Sequence, residues 1–128
     1  MQLVDIPEEL PSNTGKIMNL KEFKKSVQRT MNQGLDNNEA MTNYSMGLAG
    51  EAGEVLDQVK KVVFHGHEHN EQDMILELGD VAYYLMAMCV TLDIPMEAVL
   101  AINADKLKKR FPDGFNTADS IARVDKDG

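Results

Sequence analysis

The sequence predicts an all-α protein of the four-helix-bundle kind. Apolar residues recur at helical spacing in four successive segments, and most of these segments are bounded by residues that start or stop helices. No strand is predicted, and no repeat of the solenoid type is present. Two of the four segments also carry paired acids inside their apolar pattern: Glu51-Ala-Gly-Glu54 and Glu77-Leu-Gly-Asp80.

The first 18 residues contain Pro7, Pro11 and Gly15 among scattered polar residues and read as an extended arm. Asn19 with Glu22 resembles a capping box, and Leu20, Phe23, Val27 and Met31 then form a helical stripe that Gly34 is expected to stop. A second helix is predicted from about Asn38 to Phe64. Its apolar face runs through Met41, Tyr44, Leu48, Ala52, Val55, Val59, Val62 and Val63. With Leu48 at the origin of a helical wheel, Glu51 falls about 60° and Glu54 about 120° to one side, beside Gln58 and Lys61.

The segment His65-Gly-His-Glu-His-Asn70 is a connector, and Asn70 is placed to cap a third helix through Met74, Leu78, Val81, Leu85, Met88 and Leu92. On this helix Glu77 and Asp80 lean to one side, with Tyr84 one turn beyond Asp80. Asp93-Ile94-Pro95 breaks the pattern, and Pro95 suits the first turn of a fourth helix that ends in Lys106, Lys108, Lys109 and Arg110. Phe111-Pro-Asp-Gly114 terminates that helix. Residues 116–128 read as a polar tail.

Bulk properties narrow the function. A chain of 128 residues fits one domain and is also a common size for a subunit of a helical oligomer. A net charge of −8 argues against a nucleic-acid polymer as partner, because that binding relies on Lys and Arg neutralising phosphates. The lone Cys89 has no partner for an intrachain disulfide, which fits the reducing cytoplasm. The apolar run Val81 to Val90 is too short to span a bilayer, and the N-terminal Met1-Gln-Leu-Val-Asp-Ile-Pro-Glu-Glu-Leu lacks a basic region followed by an apolar one, so neither a membrane partner nor a targeting segment is expected.

The acid pairs carry the chemistry. Residues three apart share a helix face, so each pair projects two carboxylates from one side. If the two faces meet, each like-charged contact at ~5 Å and an effective dielectric of ~20 costs on the order of 3 kcal/mol. Several such contacts rival the stability of a whole domain, about 5 to 15 kcal/mol, so the cluster needs a metal, bound protons or cationic side chains. Ligands that are all oxygen favour Mg²⁺, Mn²⁺ or Ca²⁺ over zinc. Taken singly, an ExxE on a helix is usually a solvated surface; two in succession, each with a Gly beside the second acid (Gly53, Gly79), suggest close helix packing or a bound ligand.

Other motifs give way to plainer readings. Gly47, Gly50 and Gly53 lack the preceding strand and the following Gly-Lys-Ser/Thr of a phosphate-binding loop. His65, His67 and His69 match no standard zinc spacing and read as a solvated loop. A di-iron bundle would want Glu-x-x-His, whereas Glu54 and Asp80 occupy those positions. The basic end of the fourth helix is equally explained by the helix dipole and by phosphate binding. Phe23, Tyr44 and Tyr84 could stack a base, but each fits core packing at least as well.

Three blocks in order, Gly47-Leu-Ala-Gly-Glu51-Ala-Gly-Glu54-Val, Glu77-Leu-Gly-Asp80-Val-Ala-Tyr-Tyr84-Leu and Asn103-Ala-Asp-Lys106-Leu-Lys-Lys-Arg110-Phe-Pro-Asp-Gly114, closely resemble the MazG-like nucleoside triphosphate pyrophosphohydrolases. These are relatives of the all-α dimeric dUTPases and the phosphoribosyl-ATP pyrophosphohydrolases. The resemblance implies a catalytic module over residues 19–115, with cleavage of a nucleoside triphosphate between the α and β phosphates to a monophosphate and pyrophosphate. It also implies Mg²⁺, with Mn²⁺ as a substitute, and a homodimer or homotetramer.

Carried over by position, Glu51, Glu54, Glu77 and Asp80 become metal ligands, and Glu51 or Glu54 becomes the group that orients or deprotonates the attacking water. Lys61, Asn103, Lys106 and Arg110 become contacts to the substrate phosphates. The unaided chemistry agrees, since four carboxylates repel a polyphosphate unless divalent ions lie between them. Phosphoribosyl-ATP hydrolysis and a non-catalytic metal- or nucleotide-binding role are the alternatives.

Overall fold

A computed structural model describes residues 17–126, and within them the chain is helical throughout. The order is α1 (Leu20–Thr30), α2 (Asn37–Phe64), α3 (Glu71–Thr91), α4 (Met96–Arg110) and α5 (Thr117–Ala122), followed by a 3₁₀ turn at Val124–Lys126. All but the last two residues of the expected N-terminal arm lie outside the described residues. The chain divides into two compact units, one up to Asp93 and one from Ile94 onward.

In the first unit, local polar groups set the helix ends. The Asn19 side chain accepts from the Glu22 backbone amide at 2.8 Å and starts α1. The helix stops at Thr30, ahead of the expected Gly34, because Asn32 Oδ1 accepts from the Gly34 amide and turns the chain first. Asp36 and Glu39 form a reciprocal capping box at the start of α2, with bonds of 2.8 and 3.2 Å. The bond from the Glu39 amide is the main cause holding the Asp36 carboxyl below its ordinary range. Asn70 caps α3 by accepting from the Asp73 amide.

Helices α2 and α3 run antiparallel along most of their length. Gln58 reaches the Asp73 carbonyl at 3.4 Å, Glu51 lies by Glu77 and Asp80, and Tyr44 stacks near Tyr84 with ring centroids 6.4 Å apart. Helix α1 packs on α3, where the Thr30 and Tyr83 hydroxyls meet at 3.1 Å. The buried core is small: Val27, Ala40, Tyr44, Met86 and Ala87. Large apolar side chains remain open to solvent on both long helices, among them Leu56, Phe64, Leu76 and Leu78. Among the described residues α3 has the length and apolar composition to cross a membrane, by that criterion alone.

Close helix approach is achieved at Gly47. A Cβ there would overlap the Tyr84 ring, whereas one at Gly53 or Gly79 would meet nothing within 4 Å. The glycines beside the acids are therefore not packing notches within this chain.

In the second unit, α4 begins directly after Pro95 and ends at Phe111, and Gly114 makes the turn with φ +89°. The segment expected as a polar tail contains α5, a helix too short for its periodicity to register. Asn116 caps it by accepting from the Asp119 amide at 2.8 Å. The segment is anchored by a two-pronged ion pair, Arg110 Nε to Asp125 Oδ1 at 2.6 Å and Arg110 Nη2 to Asp125 Oδ2 at 2.7 Å. Arg123, in the left-handed region at φ 52°, places its Nε 3.7 Å from the same carboxylate.

Candidate functional site: a three-carboxylate cluster

Antiparallel packing of α2 on α3 brings together Glu51, Glu77 and Asp80, each offering an oxygen within 4.8 Å of the others. Glu51 and Glu77 are half-buried and Asp80 is exposed, so the cluster opens to solvent on one side. The helix faces explain this placement. Leu78, which the wheel put on the apolar side, is 52% exposed, while Glu77 beside it turns toward α2.

Like charges crowd one another in the cluster. A side-chain hydrogen bond shared with the Glu51 carboxyl is the largest cause pushing Glu77 above its ordinary range, followed by burial and by the charges of Glu51, Asp80 and Asp73. Glu77 Oε2 is buried without a hydrogen-bond partner. A buried, unpartnered carboxylate oxygen beside two further acids suits a hard divalent cation, and the all-oxygen donor set fits Mg²⁺ or Mn²⁺.

The remaining sequence-predicted residues are not members of the three-acid cluster. Glu54, one turn from Glu51, stands outside the three-acid cluster and lines a cavity of about 290 Å³ with Asp57, Gln58, Lys61, His67 and Asp73. Lys61 is held by Asp57 at 2.8 Å, which raises the lysine and, together with Lys60 at 3.2 Å, lowers the aspartate. That tie was readable in the sequence as an i, i+4 pair. His69 lies 3.5 Å from Glu71, and His65 and His67 are exposed. Asn103 and Lys106 are exposed on α4, and Arg110 is committed to Asp125. Asp125, far along the chain, carried no signal that would have paired it with Arg110.

Comparison with known proteins follows the same segment. The family model of the MazG nucleotide pyrophosphohydrolase domain matches residues 39–115. The chain belongs to this family. The matched span holds all four predicted acids together with Lys61, Asn103, Lys106 and Arg110, and it leaves α1 and α5 outside. The Gene 37 protein of Mycobacterium phage L5 is 35% identical over 79 residues, 59% of this chain and 69% of that protein. No solved structure matches the chain. Membership explains why two helices tolerate converging carboxylates: MazG domains typically depend on divalent metal.

Proposed function

We propose that this MazG-family protein hydrolyses nucleoside triphosphates in a Mg²⁺-dependent reaction at the α–β linkage, releasing a nucleoside monophosphate and pyrophosphate in nucleotide-pool control or housecleaning. The observation that carries the reading is the Glu51, Glu77 and Asp80 cluster within the family-matched segment.

Glu51, Glu77 and Asp80 would hold the metal, and Glu54 is the fourth candidate ligand. A divalent cation bound there supplies charge neutralisation for the polyphosphate and acidifies water. The protein's own part is to fix the carboxylates on two rigid helices and to keep an acid near the attacked phosphorus. Glu54, outside the three-acid cluster, is the better placed of Glu51 and Glu54 to accept a proton from the attacking water. Lys61, in the same unit as the acids, is the first candidate for a phosphate contact. The roles of Asn103, Lys106 and Arg110 rest on the family motif and are tested by substitution.

The apolar side chains left open on α2 and α3 support assembly as a homodimer or homotetramer. The single Cys89 suits a reducing, cytoplasmic setting.

Purified protein incubated with a panel of NTPs and dNTPs plus Mg²⁺ should release pyrophosphate and the monophosphate. Release of single phosphates, or activity that survives both Glu77→Gln and Asp80→Asn, would sink the reading.

A further inference from the structure

A second charged grouping lies in the second unit, where Arg110 and Arg123, two of the chain's three arginines, meet one carboxylate, that of Asp125. Local structure builds it. Arg123 closes α5 in the left-handed region, its amide donating to the Asp119 carbonyl at 3.2 Å and its carbonyl accepting from the Lys126 amide at 3.0 Å. Glycine usually takes such a position, because a Cβ is unfavourable there. Here it is an arginine whose side chain returns to Asp125, on the 3₁₀ turn that follows and packs against α4.

The contact with Arg110 is side-on. The Asp125 side chain, 1% exposed, accepts from Nε and Nη2, and the Phe111 ring centroid lies 5.8 Å from the guanidinium carbon. One hydrogen on Nε and one on Nη2 are thereby used, which leaves the Nη1 group and the second Nη2 hydrogen. Those form the edge of the fork that takes a phosphate bidentately. Nη1 has no partner among the described residues and is not a buried orphan atom, so it meets solvent.

Arg123 adds a second guanidinium. Its Nε is buried and 3.7 Å from Asp125 Oδ1, too far for a hydrogen bond, and its side chain is 39% exposed. Asp125 cancels only one of the two positive charges, so the group stays cationic within a chain of net charge −8. Anchoring the segment requires Arg110 alone.

We propose that Asp125 is a positioning residue that holds Arg110 and Arg123 as a two-guanidinium clamp for a phosphoryl oxyanion. The clamp stands on its own geometry, and its use on a nucleotide rests on the pyrophosphohydrolase reading above. Arg110 lies in the family-matched segment, whereas Arg123 and Asp125 follow it, so the clamp is completed by a part of the chain outside the shared module.

With three arginines in the chain, the Nε–Hε NMR signals of the full-length protein test this directly, and Arg29 on α1 is the internal control. Two probes separate the sources of the oxyanion: pyrophosphate without metal, and an α,β-methylene triphosphate with Mg²⁺, each set against NaCl of equal ionic strength. Pyrophosphate should shift Arg110 and Arg123 and leave Arg29 in place. Asp125→Asn should weaken that binding about threefold or more, although loss of a negative charge would by itself tighten it. Asp125→Glu should recover part of the loss. Arg123→Lys keeps the charge and should still weaken pyrophosphate, because an ammonium does not replace the fork, with the exchange of the α5 amides unchanged.

If the triphosphate moves both arginines together with the amides around Glu51 and Glu77, the oxyanion is the substrate's. If it moves only the amides around the acids while pyrophosphate moves the arginines, the clamp serves the free anion. Pyrophosphate affinity that is unchanged or tighter in Asp125→Asn would overturn the positioning role. Equal shifts at all three arginines, or none at Arg110 and Arg123 with either probe, would overturn the clamp, while pyrophosphate release from the nucleotide panel would keep the catalytic reading. Arginine shifts in a protein that hydrolyses no nucleotide would keep the clamp and overturn that reading.

Discussion

The Tyr84 ring sits in the notch that the absent side chain of Gly47 leaves on α2; Gly47 is one turn from Glu51 on α2, and Tyr84 is one turn from Asp80 on α3. This contact sets how closely the two acid-bearing helices approach. The carboxylates converge because the backbone of α2 is bare where an aromatic ring must pass.

Gly47→Ala should therefore be costly despite alanine's better helix propensity. Propensity favours the change by about 1 kcal/mol, but forcing a methyl group against a packed ring costs about 1 to 3 kcal/mol. The net expectation is destabilisation together with weaker divalent binding, read by urea denaturation and by metal titration. Gly50→Ala is the control: a Cβ at Gly50 meets nothing within 4 Å, so stability should rise by up to about 1 kcal/mol. Equal effects at the two positions would rule out the notch.

Glu77→Gln separates folding from function. The substitution removes a charge that Glu51, Asp80 and Asp73 all oppose, so the metal-free protein should melt at a higher temperature in EDTA. Divalent affinity should fall by about tenfold or more as ligand charge is lost. Glu54→Gln should lower turnover strongly while leaving metal binding less affected, because Glu54 lies outside the three-acid cluster. Thermal melts with and without Mg²⁺ on both variants give the comparison. A Glu77→Gln protein that is less stable in EDTA and binds Mg²⁺ normally would contradict the assignment.

Much of this arrangement is legible from residue order. Asn19, Asn70 and Pro95 punctuate the chain where expected, and α2 starts at Asn37 behind an Asp36 cap, one residue ahead of the expected Asn38, so local signals come within a residue or so of these boundaries. Glu51 and Glu77 stood out because acids inside an apolar stripe are anomalous. Which acids touch depends on the rotation of one helix against the other, which a single wheel does not contain. Leu78 shows this: it was placed with the core and is instead open, while its neighbour Glu77 is half-buried. Arg110 makes the same point at longer range, since its partner Asp125 follows a helix of six residues whose pattern is too short to read.

The Arg110–Asp125 pair predicts an acid-sensitive C-terminal segment. The guanidinium is the main cause lowering the Asp125 carboxyl from 3.8 to about 2. The folded value lies below the unfolded one, so the unfolded state binds more protons as pH falls between them. The stabilisation is fully present above about pH 4 and is lost as pH drops through about 2. Hydrogen exchange of the α5 amides should accelerate across that window. Asp125→Asn should show the faster exchange already at neutral pH, with the exchange of α2 and α3 unchanged. Retained protection of α5 in Asp125→Asn would show that the ion pair does not anchor the segment.

The open apolar faces make the last prediction. Leu56, Phe64 and Leu76 are 68%, 79% and 66% exposed on α2 and α3, the two helices that carry the acids. Exposed side chains of this size scattered on one helix need no explanation, but here they accompany a core of five buried residues among the described residues, too few to account for the apolar content of two long helices. A second copy of the chain would bury them. Sedimentation should then show a dimer or tetramer, and Leu76→Arg, a charge introduced at an already exposed position, should shift it toward monomer with helix content retained. Because the same helices hold Glu51, Glu77 and Asp80, hydrolysis should fall along with assembly. A wild-type protein that sediments as a monomer at tens of micromolar would overturn the oligomer, and full activity in a monomeric Leu76→Arg protein would uncouple assembly from the site.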